Sequence, residues 1–519
     1  MKPLRGAIAA GNPYTARAGL NLLDAGGNAV DAAVGAMLAA GVAEPVLTGL
    51  AGAGIAAAHI DGQVIMMDAF TNMPGLGRQT HPSGLTMDQV LIDYGPTVQP
   101  FHIGPASVAV PSLSYGLVAL HERHGRLPLR RVVMEAATLA EDGVVLQPGI
   151  ALILQFLWPI LSRSPDLIKL LAPHGRLPEP GDRIHNPNLA NTLRALGERG
   201  DAMLRSGPFP QAIVGALGDR SLLTEHDLAS YEPRFVRPLR YRYRDATIWV
   251  PPPPSVAGML VLQSLRELED HGPMPPAFGI DQVRLLAAAL QRASTSNSHR
   301  MKSALFQPGF IDGFMTAIAP DEDGEAFLST VIPEPPESAG HTTHISVVDH
   351  NGDFVGITTS LGETSGIVAG ESGVILNNFL GEEDVNPTDI QRTPGQRLMT
   401  MCCPTIVEKD NGQRFIMGSA GSSRIRSAIL HAIVYLVDHN MTPAQAAAAP
   451  RCHAQQGKTF VELFDRPENL NDQLDDVFED LTRFEEPNMF FGGLNLVGSH
   501  NHTISGGADP RRTGHFEAR

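Results

Sequence analysis

The chain has 519 residues, 43% of them hydrophobic, and its 39 basic side chains are outnumbered by 55 acidic ones for a net charge of −16. That apolar content builds a substantial core and excludes wholesale disorder, and the acidic balance argues against nucleic acid or an anionic membrane as the main partner. Length alone predicts about three domains at roughly 150 residues each, and three cysteines, two of them adjacent (Cys402, Cys403, Cys452), cannot form a disulfide framework.

The opening segment to Pro13 is too short and too broken for a signal peptide. The apolar stretch from Ala32 to Ala58 is interrupted by Glu44-Pro45 before it reaches the ~20 residues of a membrane helix. A soluble, cytoplasmic protein is the expectation. Residues 14–25 and 28–41 carry helical periodicity, with Asn28 as the cap of the second helix and Asp31 in its first turn. Residues 50–68 read as Gly-rich backbone running into two strands around Asp61-Gly62. Helices are predicted at 112–124, 129–141, 258–269 and 280–292. Residues 163–190 read as a long polar surface excursion, 224–231 as a segment opened by an N-cap Thr, and 241–250 as one strand. A Pro-rich acidic linker spans Ala319 to Gly340. Beyond it, 343–350 and 353–360 predict a hairpin around Asn351-Gly352. Then come a short strand at 373–378, paired strands at 405–409 and 414–417, and helices at 424–440 and 443–449. No internal repeat is visible. Helices, then strands, then helices predict stacked sheets covered by helices.

The junction Gly340-His341-Thr342-Thr343-His344 carries the most chemistry. A linker runs straight into a strand at a hydroxyl residue, which is what an N-terminal nucleophile enzyme needs. Such a precursor cuts itself by attack of the Thr342 hydroxyl on the preceding carbonyl. The freed α-amino group, with an ordinary pKa of ~8, then serves as general base for the same hydroxyl. The rival reading of Thr342-Thr343 is an ordinary structural pair in a strand. His341 and His344 also form a His-x-x-His, but residues three apart on a strand face opposite sides, and no carboxylate or third His stands at suitable spacing. No metal and no cofactor is expected. Gly49 to Gly54 is not a dinucleotide fingerprint. Gly418 to Arg424 precedes a helix without the Lys of a phosphate loop, and its amides suit an oxyanion hole.

Ordered blocks along the chain are similar to the γ-glutamyltranspeptidase (glutathione hydrolase) family of N-terminal nucleophile hydrolases. They include Gly26 to Ala33, Val42 to Pro45, Ser107 to Pro111, His124 to Pro128, Asp227 to Tyr231 and Pro252 to Ser255. In the second half they include Thr342-Thr343-His344, Gly366 to Gly373, Leu376-Asn377-Asn378, Pro404 to Val407, Gly418-Ser419, Ser423-Arg424, Ala449 to Arg451 and Gly507 to Arg512. The resemblance implies an α+β fold, a four-layer αββα sandwich. It implies a precursor cut into a large subunit, 1–341, and a small one, 342–519, that together make one domain. His341, Thr342 and Thr343 form the processing site and Thr342 is the nucleophile. Ser360 stands where the family has a Thr whose hydroxyl bonds the nucleophile and aids processing. Gly421 and Ser422 stand where it has the Gly-Gly oxyanion pair.

The departures fall on the substrate. An Asp-aromatic-Arg-Glu motif that places an Arg on the glutamyl carboxylate is here Asp68-Ala69-Phe70-Thr71. An Asn beyond the hydroxyl partner is Gly362. A Gln and an Asp that hold the amino group are Phe379 and Glu382, with Glu383 as an alternative alignment, and a Ser-Ser pair is Thr400-Met401. Losing a bidentate Arg contact costs a site built for it several kcal/mol, of the order of ~3–5. Phe70, Phe379 and Met401 make the acyl pocket more apolar, and Glu382 still offers a partner to an amine or a water. The resulting expectation is an amidohydrolase acting on a small non-glutathione amide, of acylase or oxamate type. A true glutathione hydrolase with a rebuilt pocket and a catalytically silent scaffold are the alternatives. The state of assembly beyond the two subunits is left open.

Overall fold

The computed structural model describes residues 5–79, 84–94, 98–319, 341–467 and 469–519. All but the first residue of the linker Ala319 to Gly340 lies outside them.

Two antiparallel sheets lie face to face. The first has seven strands in the order His515–Ala518, Gly6–Ala10, Thr342–Asp349, Phe354–Ser360, Ala53–Ile60, Gln63–Ala69 and Arg234–Val236. The second has six, in the order Thr503–Ala508, Asn495–His500, Arg414–Gly418, Thr405–Lys409, Ala246–Val250 and Leu239–Tyr243. Side chains alternate between the two faces of a strand, and here both faces are apolar. In Thr342–Asp349, Ile345 and Val347 point to the outer helices, whereas Val348 joins Ala7, Ala9, Ala57, Phe354, Ile406, Ile416 and Val497 between the sheets. Helices Pro13–Asp24 and Ala29–Ala43 cover the first sheet; Val256–Asp270, Ile280–Ser296 and Arg424–Val437 cover the second. This is the αββα sandwich.

The Asn28 cap forms as expected. Its side chain accepts from the amides of Val30 and Asp31, and the Asp31 carboxylate accepts from the Asn28 amide. Asp31 also accepts from the amides of Arg126 and Leu127, tying the turn after the third helix to this cap. Among the described residues no helix is long and apolar enough to cross a membrane.

Three expectations change. The segment 241–250 is the greater part of a hairpin, Leu239–Tyr243 and Ala246–Val250, whose turn puts Arg244 at φ +52 without a glycine to announce it. The segment 373–378 makes only isolated bridges, because the Asn377 and Asn378 side chains hydrogen-bond the backbones of Ala51, Ala109 and His102 instead of extending a ladder. The excursion 163–190 contains a helix, Pro165–Leu171, whose Leu167 and Leu171 are buried.

Candidate active site

Thr342 is the first residue of its strand and pairs with Ser360, the last residue of the next. The Ser360 hydroxyl donates to the carbonyl oxygen of His341 at 2.8 Å and accepts from the Gly362 amide at 3.0 Å. The carbonyl that Thr342 would attack is therefore already polarised. Thr343 points the other way. Its hydroxyl donates to Glu44 at 2.5 Å, and Glu44 also accepts from Thr15. That anchors the strand end under the helical layer. Burial pushes the Glu44 carboxyl above the usual range against these hydrogen bonds.

His341 and His344 do face opposite sides. His344 is fully buried between the sheets, its ring nitrogens 2.7 Å from the Thr358 hydroxyl and 2.8 Å from the Ser346 hydroxyl, and burial lowers its pKa to about 3. His341 has a carboxylate partner that spacing along the strand did not reveal. Glu363, on the turn after Ser360, takes the His341 backbone N–H on Oε1 at 2.8 Å and lies 2.6 Å from Nδ1 through Oε2. Burial pushes Glu363 well above the carboxylate range and His341 well below the histidine range. The Tyr94 ring lies 5.5 Å from the imidazole and is tilted 57° to it, and its buried hydroxyl has no partner among the described residues.

Glu382 is 8% exposed, and its Oε1 likewise has no partner among the described residues. It packs against the same turn. A Cβ on Gly362 would lie 2.2 Å from Glu382 Oε1 and 2.1 Å from Asn378 Oδ1, at a backbone φ of +71. A side chain at position 362 has neither the space nor the backbone geometry, so glycine stands there. Burial, with Glu363 and Asp384 nearby, pushes Glu382 well above its ordinary pKa.

Gly421 and Ser422 sit at φ +114 and +47 just before helix Arg424–Val437. Among the described residues neither amide donates a hydrogen bond to the protein, which leaves both for a developing oxyanion. The Ser422 hydroxyl donates to Asp384 at 2.6 Å, and this bond holds the strained turn.

Phe70 and Phe379 meet at 5.4 Å between ring centroids and are buried with Leu380, Val385, Leu398 and Cys402. They form a buried apolar cluster. Met401 does not join it. Successive residues of 398–403 face opposite sides, and Met401 packs with Met399 and Cys403 against the second helical layer. The Thr400 hydroxyl is spent on the Cys402 amide at 3.0 Å. Leu398 and Cys402 supply the surface expected from Met401. The thiols of Cys402 and Cys403 are pushed up to about 12 by burial and stay protonated. Asp68 keeps an arginine partner, but a different one and in the core. Arg397 donates to Asp68 at 2.9 Å, to the Phe70 carbonyl and to the Tyr231 hydroxyl. No local signal in the sequence links Arg397 to Asp68. Among the described residues no three His, Cys, Asp or Glu groups gather as a metal site.

The gamma-glutamyltranspeptidase family model matches residues 15–518. The chain belongs to that family. It is 30% identical over 473 residues to the Acylase ACY 1 proenzyme of Pseudomonas sp. (strain V22), covering 88% of this chain and 84% of that protein. It is 29% identical over 482 residues to the glutathione hydrolase proenzyme of Escherichia coli (strain K12), covering 87% and 81%. Among solved structures, cephalosporin acylase from Bacillus halodurans shares the fold at a TM-score of 0.83 and 22% identity, over 99% of this chain and 96% of that one. The protein is an enzyme, an N-terminal nucleophile hydrolase or acyltransferase of the γ-glutamyltranspeptidase family.

Proposed function

We propose that the chain is a self-processing amidohydrolase with Thr342 as its nucleophile. The Thr342 hydroxyl attacks the His341 carbonyl, whose oxygen accepts from Ser360. The C–N bond to Thr342 breaks, the nitrogen takes the hydroxyl proton, and water hydrolyses the resulting ester. The products are residues 1–341 and 342–519. The new α-amino group of Thr342 then draws the proton from its own hydroxyl as that hydroxyl attacks a substrate amide. The amides of Gly421 and Ser422 hold the oxyanion, the amine departs with the proton, and water resolves the acyl-enzyme. The observation that carries this reading is the 2.8 Å hydrogen bond from Ser360 to the carbonyl of the bond to be cut.

The acyl pocket is read as that of a non-glutathione substrate. Where a glutamyl carboxylate would need an Arg, Phe70 packs in a buried apolar cluster with Phe379, and Arg397 is committed to Asp68. A denaturing gel tests the processing. Wild-type protein gives two bands of the sizes set by a cut at Thr342, and Thr342→Ala gives one full-length band without amidase activity. A single band from wild type, or a cut that survives Thr342→Ala, overturns the reading. Robust hydrolysis of γ-glutamyl 4-nitroanilide, abolished by Thr342→Ala, would establish the glutathione-type alternative instead.

A further inference from the structure

The uncut chain already contains one acyl group bound in the site. The ester formed when Thr342 attacks its preceding carbonyl is an acyl-enzyme whose acyl group is His341. What holds His341 therefore describes what the nucleophile can accept, an inference that rests on the proposed role of Thr342.

The groups around His341 are specific. Glu363 takes two nitrogens of the same residue, the N–H on the α-carbon at 2.8 Å and the imidazole Nδ1 at 2.6 Å. The turn that carries Glu363 also packs against Glu382, whose buried Oε1 lacks a partner among the described residues. The Tyr94 hydroxyl, buried over the same imidazole, lacks one as well. When processing releases His341, the Glu363 carboxyl loses both of its His341 contacts. The vacated space then holds two buried carboxyls and a phenol, and the buried Arg512 guanidinium, close enough to Glu363 and Tyr94 to feel their charge, balances only one of the carboxyls. Buried polar atoms left without partners are rare in folded proteins and call for a partner, a water or a ligand among the candidates.

We propose that this space is the acyl pocket of the mature enzyme and that it takes α-aminoacyl amides, the substrate's free α-ammonium binding Glu363 and Glu382. An ammonium carries three N–H donors, enough for both carboxyls and more than the single amide N–H of the precursor supplies. A γ-glutamyl group meets this pocket poorly, because its nitrogen stands further along the chain from the scissile carbonyl. The side chain of the substrate then lies where the imidazole lay, against the Tyr94 ring. The step conserves atoms simply. Thr342 Oγ bonds the aminoacyl carbon, the amine leaves with the hydroxyl proton, and water returns the free amino acid and Thr342.

The test is a panel of 4-nitroanilides with the processed wild-type enzyme: L-histidyl, N-acetyl-L-histidyl and 3-(imidazol-4-yl)propionyl, the last lacking the α-nitrogen. The L-histidyl compound is expected to exceed both others by about 100-fold in kcat/KM, the order lost when a buried charge partner is removed. Glu363→Gln should erase most of that preference. Should this variant fail to process, Glu382→Gln and the wild-type panel still decide. Equal or faster turnover of either analogue lacking the free amine overturns the proposal. So does a processed enzyme that cleaves none of the three. If the analogues are cleaved and Thr342→Ala abolishes it, the nucleophile stands and only the amine pocket falls. If cleavage survives Thr342→Ala, the nucleophile itself is wrong.

Discussion

Arg511 and Arg512 are neighbours in the chain and opposites in setting. Arg511 gives Nε and Nη2 to the two oxygens of Glu462 at 2.8 and 2.6 Å, Nη1 to Asp509 at 3.1 Å, and Nη2 also to the Ala449 carbonyl. Arg451 completes the set by donating to Asp509 at 2.7 Å. Burial alone would raise Asp509, but the two guanidiniums outweigh it and hold the carboxyl below its usual range. Arg512 reaches the Thr342 side of the core, where its Nε and Nη1 have no partner among the described residues. Burial, with Arg424 nearby, lowers it to about 10. Glu382 Oε1 and the Tyr94 hydroxyl are left in the same condition. Folding has paired the carboxylates of one buried charge cluster with two guanidiniums, leaving Arg451 Nε alone without a partner, and has left more of the other open.

The largest effect expected from this contrast is on stability in the paired cluster. Removing one partner of a buried ion pair typically costs about 3–5 kcal/mol, because the remaining charge stays buried. Asp509→Asn strips charge from both Arg451 and Arg511 and also weakens the contact to the Leu494 amide. Measured by urea unfolding in the single-chain Thr342→Ala background, it should cost about that much. A loss under ~1 kcal/mol would mean that the cluster is solvated and that the contrast is false.

The open cluster should respond in the opposite direction. Glu382→Leu removes a buried carboxyl oxygen that has no partner, so it relieves a desolvation cost of the order of 1–3 kcal/mol. In the same background the urea midpoint should rise by the equivalent of ~1 kcal/mol. A clear fall would identify Glu382 as a structural member of the fold.

The same contrast explains what the sequence disclosed. The Asn351-Gly352 turn disclosed the hairpin at Thr342, but a two-residue loop would set Thr343 opposite Ser360, and the observed register, with His350 also in the loop, sets Thr342 there instead; the ordered family blocks supplied the layers. Those signals are local or collective. Glu363, Arg397, Tyr94 and Arg512 were not legible, because each acts through a partner distant in the chain or through having none. Arg397 meets Asp68 across 329 positions. Met401 was misplaced for a simpler reason. The side on which each residue of 398–403 lands depends on a phase that no local pattern fixes, and it landed with the second helical layer while Leu398 and Cys402 took the pocket side. Gly362 and Glu382, read separately as two losses, are one change, since the carboxyl leaves no room for a side chain on the turn.

The smallest expected effect concerns a group that is buried and satisfied yet uncharged. His344, two residues from Thr342, has both ring nitrogens on hydroxyls and a pKa lowered to about 3 by burial. An unfolded histidine takes up a proton below ~6.5, and the folded ring does not until far lower. Its contribution to stability is therefore complete above pH ~6.5 and falls as the pH drops, by at most ~1.4 kcal/mol per unit, until about pH 3. His344→Gln removes that slope. Other buried histidines such as His431, also lowered to about 3, contribute equally to both proteins and cancel in the difference. Urea midpoints of the Thr342→Ala protein with and without His344→Gln should thus converge between pH 6 and 4, by about 1 kcal/mol per unit. Parallel curves would mean that the folded ring is protonated. A cation would then stand between the sheets two residues from Thr342.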